Sequence, residues 1–272
     1  MDVCVLIRVH SRMADLEVCL RAIRRHWHRH RYRVIVLSAG RPDGFLVPSS
    51  VASTGAEVIE IDSNPGHVAG TSLLLQEGMR HVPEGCRYTI LLEADTWVHD
   101  DEVLDACIGR MNDGGAVWAS AAWVEKLGSL AIDCAAVESA FLRDHPGLVT
   151  FTSRAELHVA RYLAAARAPI LHITEHMPVH VPRVLRPLVP APQGRFRCFP
   201  AGAMVTHHVE DLTGGIAEKQ RWANATLGRR EYDVPGCEHL ARDHRRLVWL
   251  QRLGRIVPRS SWVMKPRRVP AT

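Results

Sequence analysis

Short apolar runs alternate with helix-period stretches through the first 111 residues, and few folds can accommodate that alternation. Residues 3–9 form an almost unbroken apolar run, interrupted only by Arg8, and read as a buried strand. Leu16, Cys19, Leu20, Ile23 and Trp27 follow at helical spacing. Residues 34–37 read as a second strand and Val58, Ile59 and Ile61 as a third, with a turn at Pro42, Asp43 and Gly44 between them. Asn64-Pro65-Gly66 ends the third strand, and a helix is expected from Gly70 through Leu73, Leu74, Leu75 and Met79. Residues 88–92 give the next strand, then a helix capped by Asp100 or Asp101 and carrying Val103, Leu104, Cys107, Ile108 and Met111 on one face. Strands joined through helices return in the same direction, so an α/β fold follows, its sheet parallel and covered on both faces.

Beyond residue 111 the pattern is less regular. Strands are expected at 117–123 and 127–133, and helices at 135–142 and 154–166. Five prolines make 177–192 a loop or edge segment. Residues 199–206 are short and apolar, and 216–222 read as helical. Leu240, Leu247, Trp249, Leu250 and Leu253 can form a helix that packs back on the body, while 257–272, with three prolines, is expected to be irregular.

Charge and cysteine usage narrow the function. From residue 237 onward nine arginines and lysines oppose two acids, giving +7; the whole chain is +5, so the remainder carries −2. The basic character belongs to the tail, and the body offers no electrostatic case for nucleic acid. The tail is expected to pack on the body, with weak contact to an anionic membrane surface or closure over a diphosphate as alternatives. Seven scattered cysteines without a C-x-x-C pair point to reduced thiols in a cytoplasm rather than a disulfide frame or zinc site. No run approaches the ~20 apolar residues of a membrane span, and the early-charged start reads as a strand, not a signal peptide.

Glu93-Ala94-Asp95 is the stretch most suggestive of chemistry. Two carboxylates at the carboxyl end of a core strand stand where open α/β sheets bind ligands. Hard oxygen donors with a small residue between them suit a divalent metal that itself carries phosphates. No G-x-x-x-x-G-K-[ST] loop, no G-x-G-x-x-G after the first strand and no G-x-S-x-G elbow occurs, which weighs against P-loop, dinucleotide and hydrolase readings.

Three features together resemble nucleotide-sugar glycosyltransferases of the GT-A fold, most nearly the large family 2 group. The first strand ends in V-H-S-R (Val9, His10, Ser11, Arg12), where such enzymes turn sharply to meet the nucleotide. N-P-G-H-V-A-G at 64–70 is similar to the family's N-x-G-x-a-x-A, and E-A-D at 93–95 stands where its D-x-D motif does. The resemblance covers roughly the first 110 residues. It implies a mixed, mostly parallel sheet flanked by helices, with a nucleotide half at 1–125, an acceptor half at 126–236 and a basic extension at 237–272.

The resemblance also implies site roles. Asp95 is the expected ligand of a divalent cation (Mn2+ or Mg2+). Glu93, longer than the usual aspartate, acts directly or through water or the ribose. Arg8, Val9, His10, Arg12, Ser38, Asn64, Gly66, Gly70, Glu93 and Ala94 are the expected contacts to the nucleoside diphosphate sugar. No acid follows the second strand until Asp43, so the base is left open. In T-H-H-V-E-D-L at 206–212, Asp211 matches the general base of inverting relatives, with Glu210 as the alternative, and His207 or His208 stands where several relatives keep a metal-binding histidine. Gln220-Arg221-Trp222 only faintly resembles the Q-x-x-R-W signature of processive relatives and reads as a helix end.

The expected activity is transfer of one sugar from a nucleoside diphosphate donor to a hydroxyl of a small-molecule or lipid-like acceptor. An arginine- and alanine-rich composition is associated with bacteria in which small transferases decorate secondary metabolites, antibiotics among them. A homodimer is left open. A silent GT-A module that binds a sugar nucleotide or partner protein, and a nucleotidyltransferase, are the alternatives.

Overall fold

The structure, a computed structural model, describes residues 2–98, 101–122, 129–173, 195–198, 204–207, 216–217, 220 and 265–267. In chain order the elements are β1 (Asp2–Val9), α1 (Met13–His26), β2 (Arg31–Ser38), a 3-10 turn (Arg41–Asp43), α2 (Ser49–Ala52), β3 (Glu57–Glu60), α3 (His67–His81), β4 (Tyr88–Glu93), β5 (Trp97–Val98) and α4 (Glu102–Gly114). Next come β6 (Trp118–Ala122), β7 (Leu130–Glu138), α5 (Ser139–Asp144), a second 3-10 turn (Pro146–Val149), α6 (Ala155–Ala165), β8 (Ile170–Ile173), β9 (Arg195–Cys198), β10 (Met204–His207) and β11 (Lys265–Arg267).

Eight strands make one mixed sheet in the order β11-β8-β6-β7-β4-β1-β2-β3. The β1–β2, β2–β3, β1–β4 and β6–β8 pairs are parallel. The β4–β7, β6–β7 and β8–β11 pairs are antiparallel. Strand order reverses at β1, where β2 and β3 lie on one side and β4 on the other, and such a reversal opens a crevice at the carboxyl ends.

Alternation along the strands builds two cores. Val3, Val5, Ile7 and Val9 of β1 pack with Leu16, Cys19 and Ile23 of α1 and with Leu104, Cys107 and Met111 of α4. Cys4 and Leu6 face the other way, toward Leu74 and Leu75 of α3 and Val159 and Leu163 of α6. Arg8 is the next residue on that second face. The Cβ of a non-glycine residue at Gly78 of α3 would stand 2.5 Å from Leu37 Cδ1, so glycine lets this helix sit close on the sheet.

Several expectations change. Residues 135–138 are strand, not helix, because β7 lies between β4 and β6 and is buried along almost its whole length; packing there overrides the helical preference of Ala135 and Ala136. Helix α3 starts at His67, three residues before Gly70, because Gly66 (φ 100°) turns the chain into it. Strand β8 lacked a periodic signal; it is four residues long and gains its place by pairing with β6. Residues 265–267, expected to be irregular, pair antiparallel with β8. Asp101 is neither solvated nor a side-chain cap of α4. It is 2% exposed, and its Oδ2 accepts from the Arg29 backbone N–H at 2.7 Å and from the Tyr32 hydroxyl at 2.9 Å. Residues 177–192, 199–203 and 240–253 lie outside the described residues. Among the described residues no helix is long and apolar enough to cross a membrane.

The small β5–β10–β9 sheet is bolted to the body by α1. Trp97, fully buried, donates through Nε1 to the Asp15 carbonyl at 3.2 Å, and Trp27 donates to the Val98 carbonyl at 2.9 Å. Trp97→Ala should therefore cost about 3–5 kcal/mol of unfolding free energy, as loss of a fully buried aromatic does. Urea denaturation read by far-UV circular dichroism measures it, and a cost below ~1 kcal/mol would contradict this account.

Candidate functional site

A cleft of about 340 Å³ opens where β1 and β4 end, within the range of small-ligand sites. Arg8, Glu93, Asp95, Ile132 and Asp133 supply its floor, and Val9, His10, Ser11, Arg12, Ala39 and Asn64 supply the rim on the β1–β2 side. Gly66, His67, Gly70, Thr71 and Leu74 of α3 and its entry form one wall, and Glu156, in the first turn of α6, stands at the far end.

Arg8 ties the floor together across three strands. Its Nη2 donates to Glu93 Oε1 on β4 at 3.0 Å and to the Ile132 carbonyl on β7 at 2.8 Å. The residue is 4% exposed, and its Nε and Nη1 have no hydrogen-bond partner among the described residues. Ala94 N–H donates to the Arg8 carbonyl at 2.9 Å, and Thr96 N–H closes a turn on the Glu93 carbonyl at 2.9 Å. Asp95 sits in that turn, 6% exposed, two residues before the buried Trp97. A small residue is required at position 94, which is 2% exposed.

The rim is a polar knot between three loops. His10 Nε2 lies 2.7 Å from Asp43 Oδ2, and Asn64 Nδ2 donates to the same oxygen at 2.9 Å. Asn64 Oδ1 accepts from the Gly66 N–H at 3.2 Å, so this residue shapes its own turn and grips the two neighbouring loops. A methyl group on Gly70 would come within 2.9 Å of that oxygen. Phe45 stacks edge-on against His10, centroids 5.3 Å apart, and is partly exposed, as is Leu46. The hydrogen bonds from Asn64 and then His10 hold the Asp43 carboxyl below its usual range.

Of the sequence-derived contacts, Arg8, Val9, His10, Arg12, Asn64, Gly66, Gly70, Glu93, Ala94 and Asp95 all line this one cleft. Ser38 does not. It is fully buried at the end of β2, its hydroxyl takes the Gly40 N–H at 3.4 Å, and Ala39 lines the cleft in its place. Residues 208, 210 and 211 lie outside the described residues. The backbone of His207 ends β10, whose Thr206 pairs with Trp97, two residues after Asp95. Asp133 and Glu156 carried no sequence signal, because each acquires meaning only through the chain's return to the cleft.

The donor set fits a divalent cation that also carries phosphates. Asp95 and Asp133, both lining the cleft, are hard oxygen donors. Among the described residues no three His, Cys, Asp or Glu side chains form a complete metal shell, so phosphates or residues beyond those described would complete one. Cys4, Cys19, Cys86, Cys107 and Cys134 are buried, and burial pushes the Cys4 and Cys107 thiols up to about 12, which disfavours them as nucleophiles.

Similar solved structures share this arrangement of elements. A mannosyltransferase, PcManGT from Pyrobaculum calidifontis, solved with GDP-Man and Mn2+, superposes with a TM-score of 0.54 at 14% identity, over 93% of this chain and 72% of that one. The chain has the GT-A fold. TarS from S. aureus matches at a TM-score of 0.48 and 9% identity, over 64% of this chain. Glucosyl-3-phosphoglycerate synthase from Mycobacterium tuberculosis matches at 0.44 and 11%, over 61% of this chain and 64% of that one. The chain spans 35% of the length of TarS. No family model and no curated protein matches the sequence. In this GT-A fold the cleft described above stands at the strand reversal beside β1.

The rim makes a pH prediction. A carboxyl whose folded-state pKa is depressed contributes stability above its unfolded value of about 3.9 and loses it as pH falls through the folded one. Asp43→Asn should therefore lower the melting temperature at pH 7, and the gap should close as the pH drops below about 4. Paired melting curves from pH 7 to pH 3 check this; a gap that persists unchanged at pH 3 would show that the Asp43 charge does not hold the rim.

Proposed function

We propose that this protein is a metal-dependent glycosyltransferase that moves one sugar from a nucleoside diphosphate donor to a hydroxyl of a small-molecule acceptor. The observation that carries the reading is the placement of Asp95 and the amino end of α3 on one cleft at the strand reversal. A 15-residue helix whose entry has no side-chain cap presents backbone N–H groups that suit a diphosphate. Gly66 and Gly70 allow the donor to approach that backbone closely. His10, Asp43 and Asn64 bring the β1, β2 and β3 loops together where the base and ribose would lie.

A divalent cation held at Asp95 would neutralise the charge that builds on the departing diphosphate. Asp211, or Glu210, is the proposed base, taking the proton of the acceptor hydroxyl as that oxygen attacks the anomeric carbon. An inverting outcome follows from that assignment. The β5–β10 pairing favours a metal role for His207 or His208, because it draws the segment ending at His207 toward Asp95. On this reading 1–125 form the nucleotide half and 126–236 the acceptor half, with 237–272 a basic extension. A cytoplasmic enzyme acting on a secondary metabolite accords with the free thiols and the composition.

The test is a thermal-shift panel of UDP, GDP, dTDP and CDP sugars with and without Mn2+. One nucleotide should raise the melting temperature in a Mn2+-dependent manner, by about 5 °C or more at a hundredfold excess over Kd. Asp95→Ala should abolish the Mn2+-dependent part and all sugar transfer. A full Mn2+-dependent shift in that variant refutes the metal assignment, and a panel without any shift refutes the donor class. Binding without turnover of any donor would identify a silent sugar-nucleotide module instead.

A further inference from the structure

Resting on the sugar-nucleotide reading of the cleft, we infer that Glu156 selects the transferred sugar: its carboxylate accepts hydrogen bonds from the hydroxyls of an uncharged hexosyl group and disfavours a uronic acid in the same place. Strand order gives the cleft a direction. Asn64 and His10 follow β3 and β1, whereas Glu93 ends β4 and Ile132 and Asp133 belong to β7. Strands β4 and β7 lie on the side of β1 away from β2 and β3. Helix α6 packs on β7, so Glu156 in its first turn stands at the end remote from the rim. A donor with its nucleoside against the rim and its diphosphate at the amino end of α3 brings its sugar toward that end.

Glu156 is half-buried and lines the cleft, and among the described residues its carboxylate makes no hydrogen bond or ion pair. The amino end of a helix favours an acid at any of its first positions; Glu156 is set apart because its side chain meets the cleft. A carboxylate is an acceptor, so hydroxyl donors suit it. Thr71 of α3 donates to the His67 carbonyl at 2.9 Å, which leaves its oxygen as a further acceptor, and Leu74 and Ile132 give apolar surface for the C–H face of a sugar ring. The helix that carries Glu156 is firmly placed. The Ser72 hydroxyl of α3 donates to the Val149 carbonyl at 2.6 Å and accepts from the Phe151 N–H at 3.1 Å, tying α3 to the segment that enters α6. Arg154 (φ 46°) turns the chain there, and Ala155, Val159 and Ala160 are buried. A side chain set on a rigid element discriminates better than one on a loop. The two arginines of the cleft stand elsewhere. Arg8 commits Nη2 to Glu93 and to the Ile132 carbonyl, and Arg12 caps α1, which packs on the opposite face of the sheet. A sugar carboxylate beside Glu156 therefore meets a like charge, which is how a site rejects the wrong ligand.

The experiment is isothermal titration calorimetry of the full chain with Mn2+ present. UDP, GDP, dTDP and CDP are titrated first, then the sugar esters of the nucleotide that binds, in two matched pairs: glucose with glucuronic acid and galactose with galacturonic acid. Within each pair the sugars differ only in whether the exocyclic carbon is a primary alcohol or a carboxylate. For the better-bound pair the unaltered chain should favour the neutral ester by about tenfold or more. Glu156→Gln should shrink that ratio to about threefold or less, and Glu156→Arg should invert it. Taking the ratio within one protein cancels any change in its hold on the shared diphosphate. An unaltered chain that binds the uronic acid ester as tightly as the neutral one, or a ratio that Glu156→Gln leaves within twofold of the unaltered value, overturns the inference while leaving the donor class intact. Failure of all four bare nucleotides to bind overturns the sugar-nucleotide reading itself and this inference with it.

Discussion

The site depends first on one buried guanidinium. Arg8 reaches from β1 to a carboxylate on β4 and a carbonyl on β7, so a single side chain fixes the spacing of three strands where the cleft opens. Removing one partner of such a pair strands a buried charge, at a cost of about 3–5 kcal/mol. After Asp2 the strand is made of valine, leucine, isoleucine and cysteine save for this one arginine, one residue before its end, and the paired partners are what allow it to be buried there. The second core is closed by Leu6, and the residue two positions on is where the apolar face gives way to the cleft. An aliphatic residue at position 8 would continue the core and leave Glu93 without its counter-charge.

The acidic step is therefore held from two sides. From the sheet, Arg8 takes Glu93, and its backbone carbonyl takes the Ala94 N–H. From the opposite face, α1 holds the chain just beyond Asp95 through the Trp27 and Trp97 indoles, with Cys19 Sγ 3.8 Å from the Thr96 carbonyl. Asp95 lies between two clamps built from different cores. Such support would matter for the metal role proposed for Asp95, because a carboxylate displaced by an ångström would lose most of its advantage. All five residues that follow β4 are buried.

Much of this was legible in the sequence because it rests on period and order. The β1–α1–β2 and β3–α3–β4–α4 alternation is written in apolar spacing, and 93–95 announce themselves as acids at a strand end. What escaped depends on partners remote in the chain. Ala135–Ala136 carries helical propensity and becomes strand because β4 and β6 pair with both of its edges. Asp101 looks like a cap from its position, yet a tyrosine and a backbone N–H about seventy residues earlier claim its carboxylate. Asp133 and Glu156 look like ordinary acids until β7 and α6 return to the cleft. Ser38 failed for a local reason: a strand side chain one residue before the turn points into the sheet, and the next residue meets the cleft.

The rim shows how backbone geometry brings remote polar residues together. The sequence has no acid directly after β2, but the 3-10 turn at Arg41–Asp43 folds the chain back, and Gly44 (φ 83°) completes the reversal. Gly40 is packed so closely against the His10 carbonyl and Phe45 that a Cβ would overlap both. Asp43 thereby arrives beside His10 and Asn64 although it stands five residues past the strand. The cost is paid in backbone: Gly66, at φ 100° and ψ 173°, occupies a region essentially closed to other residues, at about 1–3 kcal/mol for a side chain forced into it. Glycines at 40, 44, 66 and 70 thus allow the turns and close approaches from which this rim is built. The consequence is that the rim's polarity depends on three loops keeping their register, which ties any ligand held there to the integrity of the β1–β2–β3 side of the sheet.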